Sequence, residues 1–177
     1  MSTAQSQNEN HNYFTAMAGE FYVLAQLFSR GYMGCLTYGN AKNVDILVST
    51  KSGKMFKMEV KTAGWEQAYG SDKTQFGKNY EWTMSQKQEV IEDKNLYYCF
   101  VILRGIDKLP RFFIVHSKQV AQYVKDAYQY RLKLNMKEKK KLKKTDTRML
   151  RINLISKLLE FELPVKDHEN KWEILPK

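Results

Sequence analysis

Asp45, Glu59 and Lys61 are the residues of this chain whose types and spacing can do chemistry together. Two runs of period-two alternation surround them. Val44, Ile46 and Val48 alternate with Asp45 and Leu47; Phe56, Met58 and Val60 alternate with Lys57, Glu59 and Lys61. Such alternation predicts strands, and Lys51-Ser52-Gly53-Lys54 between them is turn chemistry. Two strands folded back on each other bring an aspartate, a glutamate and a lysine to one place. That grouping can hold a divalent metal beside a phosphate.

The register follows from the apolar pattern, because directly opposed residues share a face. Ile46 opposite Met58 sets Val48 against Phe56 and Val44 against Val60, with all six apolar residues on one face. The same pairing sets Asp45 opposite Glu59 on the other face, with Lys61 two residues along. It requires an odd-numbered loop, of three or five residues, with Gly53 at positive φ.

The chemistry this implies is phosphodiester hydrolysis. Phosphate oxygens repel a nucleophile; a divalent ion cancels that charge and acidifies its bound water. Mg²⁺ or Mn²⁺ wants oxygen ligands, and one or two carboxylates with waters and a phosphate are the usual setting for Mg²⁺. Asp45, Glu59 and the Val60 backbone carbonyl supply such oxygens. Lys61 is a point charge that can orient the attacking water or stabilise the transition state.

The elements that position these residues read as α-β-β-β-α-β-β-α-β, a mixed α/β arrangement around one central sheet. A helix is expected over 15–30, with Glu20, Val23, Leu24 and Leu27 at helical spacing. Glu20 therefore lies on the apolar stripe, where a carboxylate needs a cation or donors. A short strand is expected at 35–38. Residues 63–82, rich in glycine and aromatics without periodicity, are expected to be a functional loop. Thr83-x-x-Gln86 resembles a capping box opening a helix to about residue 93. Residues 96–104 read as a central strand covered on both faces, with 111–116 its neighbour. Ser117 is expected to cap a helix carrying Val120, Val124 and Ala127, and 149–155 to form a last strand. The closing Trp172, Ile174 and Leu175 are expected to pack back on the domain. Residues 1–11 read as a mobile arm and 12–177 as a single domain.

Composition narrows the function classes. With 43% hydrophobic residues the body is globular. No apolar run reaches the roughly 18 residues a membrane span needs, and the N-terminus lacks a signal-peptide layout. Cys35 and Cys99 without CxxC spacing read as buried thiols. A cytoplasmic protein without a membrane partner is expected. The net charge is +10, and residues 131–151 hold ten Lys or Arg against Glu138 and Asp146. A charge concentrated in one segment suits a phosphate-contacting surface; Lys139, Lys140, Lys141, Lys143 and Lys144 are the candidate nucleic-acid contacts.

Glu20 in Ala18-Gly19-Glu20-Phe21, Asp45 in Gly39-Asn40-Ala41-Lys42-Asn43-Val44-Asp45-Ile46, and Glu59-Val60-Lys61-Thr62 together resemble the PD-(D/E)XK nuclease superfamily, with its restriction-endonuclease-like fold. The αβββαβ order over 15–103 matches that superfamily's core; Val44 replaces the motif's proline. The resemblance implies that Asp45 and Glu59 bind metal, that Lys61 is catalytic, and that Glu20 assists the metal. Gln86 or Lys87, early in the following helix, is a further candidate. The reading is a Mg²⁺- or Mn²⁺-dependent endonuclease acting on DNA, with RNA left open. Its alternatives are a catalytically silent nucleic-acid-binding module of the same fold and a protein-interaction module using the basic segment. One chain carries one site, so cutting both strands of a duplex needs a homodimer or two events.

Overall fold

The computed structural model describes residues 3–37, 44–64, 66–71, 73–138, 145–157 and 159–177, with side chains from residue 12 onward. In chain order the elements are α1 (Thr3–Ser29), β1 (Met33–Leu36), β2 (Ile46–Ser49), β3 (Met55–Ala63), β4 (Asn79–Ser85), a 3-10 helix (Gln86–Val90), β5 (Leu96–Ile102), β6 (Arg111–His116), α2 (Ser117–Lys137), β7 (Thr147–Asn153), α3 (Val165–His168) and a 3-10 turn (Trp172–Ile174). The chain groups into two compact units where the sequence suggested one domain. The first holds 1–66, 95–115 and 169–177; the second holds 67–94 and 116–168.

The first unit is built on a five-stranded sheet in the order β1-β2-β3-β5-β6. β1, β2 and β3 pair antiparallel, and β3 pairs parallel with β5, so the sheet is mixed. The hairpin register is the expected one: Ile46 lies opposite Met58 and Val48 opposite Phe56. Thr50 N–H donates to Lys54 O at 2.9 Å. Three residues, 51–53, therefore turn the chain, and Gly53 takes φ 81° as the last of them. A left-handed residue closing a three-residue hairpin loop favours glycine. β5 is buried at every position, as its continuous apolar run implies.

Under the sheet lies α1, whose Val23 and Leu27 pack with Ile46, Val48, Phe56, Met58 and Val60 in one core. Trp172 and Leu175 return to the same core, while Ile174 is exposed. α1 starts at Thr3, so the helix expected from residue 15 also takes in most of the segment read as an arm. Cys99 is buried in β5, but Cys35 is exposed, because β1 is a sheet edge with a half-open burial pattern.

The second unit pairs β4 with β7 antiparallel, Trp82 opposite Leu150 and Tyr80 opposite Ile152. Its core is Tyr80, Trp82, Met84, Val120, Tyr123, Val124, Ala127, Leu150 and Ile152. Residues 79–82, expected in a loop, are strand. The capping box shifts accordingly: Thr83 is in β4, and Gln88 Oε1 accepts from the Ser85 amide at 3.0 Å and its hydroxyl at 2.8 Å. The helix that Ser85 opens is a single 3-10 helix ending at Val90, and it does not continue to residue 93. The cap of α2 is His116, whose Nδ1 accepts from Lys118 N–H at 3.2 Å; Ser117 instead donates to Asp93 O at 2.6 Å.

Candidate active site

Asp45 stands one residue before β2, and the ladder ends beside it. Its amide donates to Met58 O at 2.9 Å and its carbonyl accepts from Thr37 N–H at 2.9 Å. Its carboxylate Oδ2 accepts from Val60 N–H at 2.6 Å. Asp45 is thus not a ladder partner of Glu59, as the extrapolated register would have it; it leaves the strand and its side chain takes the hydrogen bond that β2 would have made. The amide and carbonyl of one residue in a strand point to the same side. The Val60 carbonyl is therefore directed at the same edge of β3, past the end of β2.

Glu59 is 3% exposed. Its Oε1 meets Lys61 Nζ at 2.6 Å. Its Oε2 is buried with no hydrogen-bond partner. A buried charged oxygen left without a donor is costly, and in a native site it asks for an unseen ion or ligand. Opposite Glu59 in the parallel register stands Tyr98, fully buried, its hydroxyl facing the Glu59 carboxylate at the long limit of a hydrogen bond. Burial first, then the Glu59 charge and a hydrogen bond to the Glu59 carboxylate, then the Asp45 charge, push the Tyr98 phenol far above its ordinary range. It stays protonated, a donor held beside an unfilled acceptor.

Asp45 and Glu20 are both raised above ordinary carboxylate values. For Asp45 the main cause is desolvation, opposed by the Val60 hydrogen bond and Lys61, and reinforced by Glu59. For Glu20 desolvation again leads, then the Asp45 charge, with Lys61 opposing. So Glu20, Asp45, Glu59 and Lys61 share one electrostatic environment: three carboxylates around one ammonium. Lys61 keeps a third of its side chain exposed, so the cluster reaches solvent through it.

Glu20 is placed by Gly19. A Cβ on Gly19 would fall 1.9 Å from Thr62 Oγ1. Only glycine lets α1 approach β3 this closely, and the next residue is then carried to the motif. Sequence reasoning missed Gly19 and Tyr98 as parts of the site. Gly19 stood inside the quoted motif without a role, and Tyr98 read as core; only the β3–β5 register sets its ring against Glu59.

The remaining candidates fall elsewhere. Gln86 and Lys87 open the 3-10 helix of the second unit. Lys139, Lys140, Lys141, Lys143 and Lys144 lie outside the described residues. Two other cations of the basic stretch are committed internally: Arg148 pairs with Glu89, and Arg151 with Glu81 at 2.8 Å. The second unit still holds eighteen Lys and Arg against eleven Asp and Glu, the larger part of the net charge. Among the aromatics of 63–82, Tyr80 and Trp82 are core and Phe76 lies under the Arg151 guanidinium at 4.1 Å.

The sequence matches no protein-family model and no curated protein. The fold is similar to that of a solved bacterial homing endonuclease, I-Ssp6803I, with a TM-score of 0.50 and 10% identity, covering 92% of this chain and 90% of that one. At that identity the likeness shows the fold: an α/β architecture on a mixed five-stranded central sheet with helices.

Proposed function

We propose that this chain is a metal-dependent endonuclease of PD-(D/E)XK type that hydrolyses phosphodiester bonds in DNA. The observation that carries the reading is the imbalance at β3. Asp45, Glu59 and Glu20 share Lys61, and one buried Glu59 oxygen has no donor closer than a long contact with Tyr98. A hard divalent ion fits that donor set, since it needs oxygens and supplies the missing positive charge. Asp45 Oδ2, Glu59 Oε2 and the Val60 carbonyl are the oxygens that would hold it, with Glu20 in support. Among the described residues no three His, Cys, Asp or Glu side chains are grouped so as to hold an ion by themselves, so waters and phosphate oxygens would have to complete its shell. When bound, Mg²⁺ or Mn²⁺ would neutralise phosphate charge and acidify a water.

The chain's own residues do the rest. Val60 N–H and the two backbone bonds at Asp45 fix the aspartate, so its geometry is set before substrate arrives. Lys61 can leave Glu59 for the scissile phosphate, because it is the partly exposed member of the pair. There its ammonium orients the attacking water and stabilises the charge that builds on the phosphoryl oxygens.

DNA as substrate rests on the solved neighbour, a homing endonuclease, and on the basic excess of the second unit. The test is cleavage of duplex, branched and single-stranded DNA and of RNA in Mg²⁺ or Mn²⁺, with Lys61→Ala as control. Metal-dependent cutting lost in the variant supports the proposal. Nucleic-acid binding without cutting in any form would assign a silent binding module, and neither binding nor cutting would leave the protein-interaction reading.

A further inference from the structure

α1 has an outer face that its position does not explain. A helix with one face on a sheet ordinarily carries charged and polar residues on the other. From residue 12 to residue 29 this helix has a single charged side chain, Glu20, and that one turns toward the candidate active site. The outward stripe is instead Phe14, Ala18, Phe21, Ala25 and Phe28. Phe14 is 67% exposed, and Phe21 and Phe28 are 54% exposed. These rings lie opposite Val23 and Leu27, which are wholly buried under the sheet.

The spacing of the stripe is four, three, four, three, which is the seam of a two-helix coiled coil. It also alternates large and small side chains, the pattern that lets facing layers interdigitate. Phe14 and Ala25 are equidistant from a point between residues 19 and 20, and so are Ala18 and Phe21. A second α1 laid antiparallel about a two-fold axis through that point sets every one of these four residues against its complement. A parallel pairing would set Phe against Phe and Ala against Ala. The stripe is therefore self-complementary in one orientation, as an isologous two-fold contact requires.

We propose that the outer face of α1 is a homodimer surface, on which a second copy of this chain lies antiparallel with Phe21 over Ala18 and Phe14 over Ala25. The exposed parts of Phe14 and Phe21, the rings this pairing covers, amount to roughly 240 Å² per copy. That is small against the ~800 Å² per partner of a stable complex, so the dimer is a weak one. The surface stands apart from the nuclease reading and is tested without substrate. If that reading holds, the dimer supplies the second site that cutting both strands requires.

Sedimentation velocity on the full chain up to about 100 µM decides it. The wild type sediments as a monomer–dimer equilibrium. Phe21→Glu and the milder Phe21→Ser abolish the dimer while helix content stays as it was and Tm at dilute, monomeric concentration changes little, since more than half of the ring is exposed. Phe14→Glu and Ala25→Lys each abolish it alone, and the double variant regains it, in a salt-sensitive form, because residue 14 of one copy then meets residue 25 of the other with opposite charge. A wild type that stays monomeric throughout, a dimer that survives both Phe21 variants, or a double variant no better than its singles would overturn the proposal.

Discussion

Around β7 in the second unit, each buried cation has its own acid. Arg148, 4% exposed, pairs with Glu89, donates to Thr145 O at 2.6 Å and to Thr147 O at 3.1 Å, and covers the Tyr128 ring. Arg151 pairs with Glu81 and covers Phe76. Around β3 in the first unit the balance is reversed: three carboxylates surround Lys61, two of them are raised, and Glu59 keeps an oxygen with no close donor. Saturated pairs of the first kind hold a fold together. An unsaturated cluster of the second kind costs stability in the resting protein, and such strain persists at functional sites. Comparing the two separates the charges that hold this fold together from the charges proposed to act.

The comparison breaks most visibly at Arg148. Arg148→Ala leaves the half-buried Glu89 without its cation and strips two carbonyls of their donor, a loss approaching the ~3–5 kcal/mol of a fully buried pair, read from urea unfolding. A small change there would mean that the saturated pairs are ornamental. Lys61→Ala also leaves a buried acid, Glu59, without its cation and should lower Tm, but unlike Arg148→Ala it should also cut turnover by about two orders of magnitude or more. Full activity in that variant would move the chemistry away from β3.

A smaller effect is expected where helix and strand touch. Gly19→Ala places a methyl on Thr62 Oγ1 and should destabilise by about 1–3 kcal/mol, while also lowering turnover because Glu20 moves with the helix. Unchanged stability would show that α1 can lift off β3 freely. The smallest effect concerns pH. Asp45 and Glu20 hold their protons more tightly folded than unfolded, so without metal stability falls as pH rises from ordinary carboxylate values through their raised ones. Asp45→Asn keeps an acceptor for Val60 N–H without the buried charge, so its Tm at neutral pH should rise and its pH dependence should flatten. A lower Tm would mean that the Asp45 charge is compensated after all.

The hairpin was legible because alternation, turn length and the face of each residue all point to one register. It failed only at its end, where Asp45 leaves the ladder; strand periodicity carries no information on where a side chain replaces a backbone partner. Glu20 was legible from helical spacing. Tyr98 was not, because its role comes from a parallel pairing across 39 positions of sequence. β4 was hidden in a glycine- and aromatic-rich segment whose strand character appears only against β7. The charge of 131–151 was legible as a quantity but not as a use: Arg148 and Arg151 face carboxylates that sequence distance concealed. Cys35 looked like a core thiol because burial at a sheet edge cannot be read from an apolar neighbourhood.

The central claim, that the unsaturated acids at β3 are a divalent-metal site, is tested most directly by melting the protein with and without millimolar Mn²⁺ or Mg²⁺. An ion that binds the folded state alone stabilises it by mass action, and here it also relieves the crowding of Asp45, Glu59 and Glu20. The wild type should melt higher with metal, and Asp45→Asn, already more stable without it, should gain nothing. An equal rise in both proteins, or none in the wild type, would contradict the account.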